Sequence, residues 1–506
     1  MAVARTLAVA LHGIDGALVE IEADLANGLP AFTIIGLPDA ALGEAKDRVR
    51  AAAANSGCDL PSRKLTVNLS PASLPKHGSG FDLGIAVAAL ATTGAIGAEA
   101  IDRVVHVGEL SLDGRLRPVA GVLPAVLAAR RAGAAAVVVP SGNAEEARLV
   151  AGIRVIAAAS LREVLIQHGA ALEPLPVEAL LPASADAEPE PVGDLAEVIG
   201  HPEAVEALQV AAAGGHHLLM LGPPGAGKTL LATRLPGLLP DLDPEAAVEL
   251  SSVRSLAGLP VGSSLAVRPP LEAPHHSATM AALVGGGSGL VRPGAISRAS
   301  HGVLFLDEAP EFSAVALDAL RQPLETGQIT IHRARSVARF PARFQLVLAA
   351  NPCPCGLGGS DDCTCTPLMR RRYLGRLSGP LLDRIDLHLT VRRVAAVQLT
   401  EGSHSAVSTA AARARVTAAR ASAAERWSAE GYGLTALVPG SVLRAPRWRL
   451  PAADRAAIDR ALERGALTMR GYDRVVRVAW TLADLDGASR PTADHLGRAL
   501  YLRKGI

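Results

Sequence analysis

The chain has 506 residues, of which 49% are apolar and only 3% aromatic, and a formal charge of +1. At roughly 100–200 residues per domain this length makes about three domains, with cores built mainly from Ala, Val and Leu. No apolar run reaches the ~18 residues of a bilayer span, and so even a charge neither calls for nor excludes nucleic acid, which only local charge can decide.

The first stretch, MAVARTLAVALHGIDGALVEIEADL, is apolar. It carries Asp15, alternates from Ala17 to Ala23 as a strand does, and lacks a secretory cleavage site, so it reads as a strand of a cytoplasmic protein. Leu172–Asp194, rich in Pro, Ala and Glu and without a sustained period, reads as a linker. Beyond it, His216–Leu221 (HHLLML), Gly302–Leu306 (GVLFL) and Phe344–Ala350 (FQLVLAA) are short and unalternated, as strands buried on both faces are. Each runs into polar or glycine-rich sequence, the pattern of the carboxyl edge of a parallel α/β sheet, where ligands bind. From about Ala406 the chain turns Ala- and Arg-rich with helical spacing. The expected organisation is an α/β domain over 1–171, a linker over 172–194, an α/β core over 195–400 and a helical region over 401–506.

Within that core, GPPGAGKT fits the phosphate-loop pattern G-x-x-x-x-G-K-[ST]. Gly222, Pro223, Pro224, Gly225, Ala226 and Gly227 form a curl whose N–H groups can face phosphates at a helix N-terminus. Lys228 supplies charge to the β- and γ-phosphates of ATP, and the Thr229 hydroxyl can ligate Mg²⁺. The adjacent His275 and His276 lie in a loop and read as hydrogen-bonding groups rather than metal ligands. GVLFLDEAPEF then places Asp307 at a strand end, suited to hold the magnesium, with Glu308 beside it to polarise an attacking water. TGQITIHRARSVARFPARF reads as two short strands around a turn, and Ile331–Arg393 holds eleven Arg against four Asp. Asn351 follows the third apolar strand. Directly after it, NPCPCGLGGSDDCTC carries four of the five cysteines. Cys353, Cys355, Cys363 and Cys365 can close a tetrahedral zinc site, although C-x-C is tighter than the usual C-x₂₋₄-C. Reduced thiols without metal, or a redox pair, are the alternatives. Cys58, alone in the first domain, reads as a small buried residue.

Lys228, Thr229, Asp307 and Glu308 in these contexts resemble an AAA+ ATPase. More narrowly, the chain resembles the magnesium-chelatase-like proteins of the ComM/YifB family almost from end to end. The resemblance implies a homo-hexameric ring with ATP sites between neighbours. It gives Asn351 the sensor-1 role, Arg384 in SGPLLDRIDL the arginine-finger role and Arg470 in TMRGYDRVVRVAWTLADL the sensor-2 role, with Arg474 the competitor. It implies that the basic hairpin points into the central pore, where Arg333, Arg335 and Arg339 would meet DNA phosphates. APHHSATMAALVGGGSGLVRPGAISRASHG matches an insert of the same family. The N-terminal segments resemble its Lon-protease-like domain, a fold shared with a ribosomal-protein module. Laid on the protease pattern, the nucleophile position falls on Gly80, next to Ser79, and the lysine position on Ala125, so no peptidase chemistry is expected. The function implied is a helicase-like or branch-migrating DNA motor in DNA uptake and recombination. A chelatase-type motor remodelling a protein partner is the alternative.

Overall fold

Alternation carries the first layer. The computed structural model describes residues 3–36, 40–181, 193–287, 289–333, 337–358, 363–394 and 407–504. Val3–His12 and Asp15–Ala26 pair antiparallel through a tight reversal. Ala4, Ala8 and Ala10 enter one core while Leu7, Val9 and Leu11 pack on another, as the two-residue period of a strand dictates. Around this pair a seven-stranded mixed sheet runs in the order Ala31–Ile35, Lys64–Ser70, Asp15–Ala26, Val3–His12, Val104–His106, Ala136–Pro140, Arg154–Ala158. Helices Ala45–Asn55 and Asp82–Ala91 cover one face, and Val122–Arg131 the other.

The second sheet is parallel throughout, in the order Leu271–Glu272, Val303–Leu306, Gln345–Ala350, Leu218–Leu221, Leu387–Thr390. All of Gln345–Ala350 is buried, as the unbroken apolar run foretold. The observed strands start one or two residues later than expected, and before the first of them the flanking histidines have other work. His216 bonds Asp386 (3.0 Å) and Thr481 (2.8 Å), and the His217 ring accepts the Leu346 N–H at 3.0 Å.

Beyond residue 406 the longer helices are Thr409–Trp427, Ala452–Glu463, Met469–Leu485 and Ala493–Lys504, and the described residues there contain no strand. They share one apolar cluster with helix Pro202–Gly214 and the second sheet. Trp427, Trp448 and Trp480 meet there with ring centroids 4.7 to 6.0 Å apart. Asp386 joins the C-terminal helices to the core. Burial alone would raise its pKa, but Arg474 and His216 outweigh burial and hold the carboxyl well below the usual range.

The hairpin Gln328–His332/Val337–Pro341 joins the two sheets. Ala338 and Phe340 bury beside Leu256 and Val291 and pack on Leu11 and Ile14. The Ile14 N–H donates to the Arg339 carbonyl at 3.3 Å, and Gly121 N–H to that of Ser255 at 3.1 Å. Residues 182–192 of the expected linker and the stretch 395–406, which holds the boundary drawn at 400, lie outside the described residues. No described helix is long and apolar enough to cross a membrane.

Candidate active site

Strand Leu218–Leu221 delivers the chain into the phosphate loop, and helix Lys228–Leu238 carries it away. Between them Gly225 and Gly227 turn the backbone at φ 74° and 87°. Lys228 is 8% exposed. It donates to the carbonyls of Gly222 (2.6 Å) and Pro223 (3.0 Å) and to Asn351 Oδ1 (3.0 Å). Burial lowers its pKa, against the nearby Asp307 and Glu308 carboxylates. Three neutral acceptors thus hold a cation at the place a phosphate would take.

Thr229 Oγ1 donates to Asp307 Oδ2 at 2.8 Å. Adjacent ligands of an octahedral Mg²⁺, at ~2.0–2.1 Å from the metal, stand about 3 Å apart, so this pair fits the ion. Asp307 Oδ1 accepts the Glu308 N–H at 2.9 Å. Glu308 itself holds φ at 50°, and its half-exposed carboxylate meets His276 Nδ1 at 3.3 Å. His275 stacks on His276 and bonds Ser277. Both histidines are hydrogen-bonding groups, but the reach of His276 to Glu308 is not visible in the sequence, where 32 positions separate the two residues.

Arg384 and Arg470 lie elsewhere. Arg384 bonds Glu325 and the Pro380 carbonyl. Arg470 is 76% exposed and stands 3.7 Å from Asp383. Both line a cleft of about 990 Å³ whose wall includes His217, Gly302, Gln345 and Asp386. Those four residues precede or open strands, so the cleft follows the amino edge of the parallel sheet, opposite the phosphate loop. Arg474 lines the same cleft but is 15% exposed and engaged by Asp386 and the Arg384 carbonyl.

Among the other expected site residues, Arg333 donates to the Gly287 and Gly289 carbonyls of the glycine-rich insert. The Arg339 side chain is exposed, and Arg335 lies outside the described residues. Residues 80 and 125 offer neither hydroxyl nor amine, and Ser79 bonds Glu109. The four clustered thiols stand within 4.8 Å of one another. Burial raises the Cys353 thiol's pKa, but the Gly358 N–H and the neighbouring thiols outweigh it and bring it to about 6. Such a donor set can bind a metal.

Three family models match. That described as "Magnesium chelatase, subunit ChlI" covers residues 194–399, "Subunit ChlI of Mg-chelatase" 21–143, and "Magnesium chelatase, subunit ChlI C-terminal" 406–503. An uncharacterized protein of Mycobacterium tuberculosis is 51% identical across all of this chain and 99% of its own length. Competence protein ComM of Haemophilus influenzae is 41% identical over 99% of this chain and 98% of its own. The uncharacterized protein YifB of Escherichia coli is 40% identical over 97% and 95% respectively.

Proposed function

This chain belongs to the magnesium-chelatase-like ComM/YifB family of AAA+ ATPases, and we propose that it is a ring-forming DNA motor, a homo-hexamer with ATP sites between neighbours. The observation that carries the ring is the separation of Arg384 from Lys228. At ~3.3 Å per residue the four residues of Leu218–Leu221 put the two sheet edges about 13 Å apart. A guanidinium at one edge cannot touch a phosphate bound at the other, so Arg384, with Arg470 beside it, serves the next copy.

In this reading the N–H groups of residues 225–229 cradle the phosphates, and Thr229 and Asp307 would hold Mg²⁺. The ion's bound chemistry is neutralisation of the β- and γ-oxygens. Glu308 accepts the proton of the attacking water, and Asn351 orients that water. Lys228 and the neighbour's Arg384 stabilise charge developing on the transferred group, a contribution worth ~10³–10⁵ in rate for such an arginine.

The DNA step rests on the excess of eleven Arg over four Asp in Ile331–Arg393, on Arg333, Arg335 and Arg339 in the sequence of the hairpin segment, and on the name of the Haemophilus relative, a competence protein. Helicase or branch-migration work in DNA uptake and recombination, in the cytoplasm, follows from it. ATP turnover should rise with forked or four-way DNA, decline as salt rises, and fall by ~10²–10⁴ in Glu308→Gln. Turnover indifferent to DNA at low salt would sink the DNA step. The second reading, a motor acting on a protein partner, draws on the engagement of Arg333 by Gly287 and Gly289, and would show as stimulation by protein instead.

A further inference from the structure

We propose that Cys353, Cys355, Cys363 and Cys365 bind one structural Zn²⁺ as four thiolates, and that this ion locks the loop after Asn351 onto the phosphate loop. The first half stands on sulfur geometry. The sulfurs of Cys353, Cys355 and Cys363 stand 3.3, 3.5 and 3.8 Å apart, and all four sulfurs lie within 4.8 Å of one another. A tetrahedral ion with Zn–S bonds of ~2.3 Å has edges of about 3.8 Å. A disulfide would bring two sulfurs to about 2.05 Å, and none of the four cysteines is in one. Packing gives no other reason for the gathering: among the described residues from 352 to 364, Cys353 is the only buried apolar side chain. The Gly358 N–H points at Cys353 Sγ, 3.3 Å away, as backbone donors do around metal-bound sulfur. Soft thiolates in a tetrahedral set select zinc over magnesium or calcium.

The second half stands on what the loop touches and rests on the ATP site described above. Asn351, directly before the loop, accepts from Lys228 at 3.0 Å. Gly356, at φ 80°, lies so close to Pro224 that a Cβ there would stand 2.6 Å from the proline ring. On the far side, the Cys365 carbonyl accepts from Arg370 (3.3 Å) in helix Pro367–Leu374. Arg376, just past that helix, bonds Glu311 (2.9 Å) and the Pro310 carbonyl (3.0 Å), in the turn that follows Glu308. The ion therefore ties the sensor asparagine, the phosphate loop and the segment holding the acidic pair into one unit. Without it, a short polar loop would have to hold those contacts alone.

The purified full-length protein should carry close to one zinc per chain by mass spectrometry. Cobalt put in its place should give the visible bands of a tetrahedral thiolate site. Cys355→Ser and Cys363→Ser should lose the metal, and Cys58→Ser should keep it. Stripping the zinc with a chelator should weaken binding of a fluorescent ATP analogue by about tenfold, with recovery on adding zinc back. Protein without metal whose four thiols titrate freely, or an iron centre instead, would overturn the site. Zinc whose removal leaves nucleotide affinity unchanged would overturn the lock. Metal content is read without nucleotide, so failure of the site is distinct from failure of the ATPase reading.

Discussion

Glu308 keeps its backbone at φ 50°, where a residue with a Cβ costs roughly 1–2 kcal/mol. Such strain persists where the surroundings over-determine it, and here a fully buried strand precedes it and Asp307 Oδ1 pins its N–H. The strained turn leaves the carboxylate half-exposed, where a water can be met. Glu308→Gln should keep nucleotide affinity and lower turnover by ~10²–10⁴. Arg384→Ala should do likewise through a different protomer. The two variants therefore make a sharp test when mixed. A site with the phosphate loop of the Arg384→Ala chain and the arginine of the Glu308→Gln chain is whole, so the mixture should turn over ATP faster than either alone. No recovery in a mixture proven to co-assemble would exclude donation across the interface.

At the scale of elements, the hairpin is held by both sheets, and Gly13 permits this. Its φ is 71°, and a Cβ there would stand 2.0 Å from the Arg339 carbonyl oxygen. Gly13→Val should break the docking at a local cost of roughly 1–2 kcal/mol from the backbone alone. Faster amide exchange over residues 328–332 and 337–341, with the phosphate loop unaffected, is the expected readout. These elements were unequally legible in the sequence. Gly302–Leu306 and Phe344–Ala350 announced buried parallel strands because a strand covered on both faces has no reason to alternate. Lys228, Thr229, Asp307 and Glu308 were readable because their chemistry is local to a strand end. Leu271–Glu272, only two residues long, leaves no period to read. The approach of His276 to Glu308, and the placing of Arg384 and Arg470 on one cleft, depend on how distant segments cross in space. Arg333 was expected at phosphates, yet neighbouring glycine carbonyls already engage it, a contact that composition does not encode.

Across the whole molecule, buried imidazoles set the acid limit. Burial, reinforced by His168, holds His106 at about 3, and burial, against Asp386, holds His217 at about 4. Their unfolded counterparts titrate near 6.5, so on acidification the unfolded chain takes up protons first. The stability these two contribute is complete above about pH 6.5 and drains as pH falls towards 4, by up to about 1.4 kcal/mol per pH unit for each. Asp386 adds its loss below about pH 4, where an unfolded aspartate becomes protonated. Melting temperature should hold between pH 7 and 8 and decline steadily from 6.5 to 5; a flat profile there would contradict the burial assigned to these rings.

All three tryptophans of the chain are gathered at its C-terminal end, at Trp427, Trp448 and Trp480. Near-ultraviolet excitation at the red edge of absorption consequently lights one end of the protein and leaves the other dark. Emission followed through a denaturant titration charts the loss of that illuminated end, while far-ultraviolet dichroism charts every helix and strand. If the two curves part, the N-terminal sheet comes undone on its own schedule, and the protein carries the instrument to show it without a label.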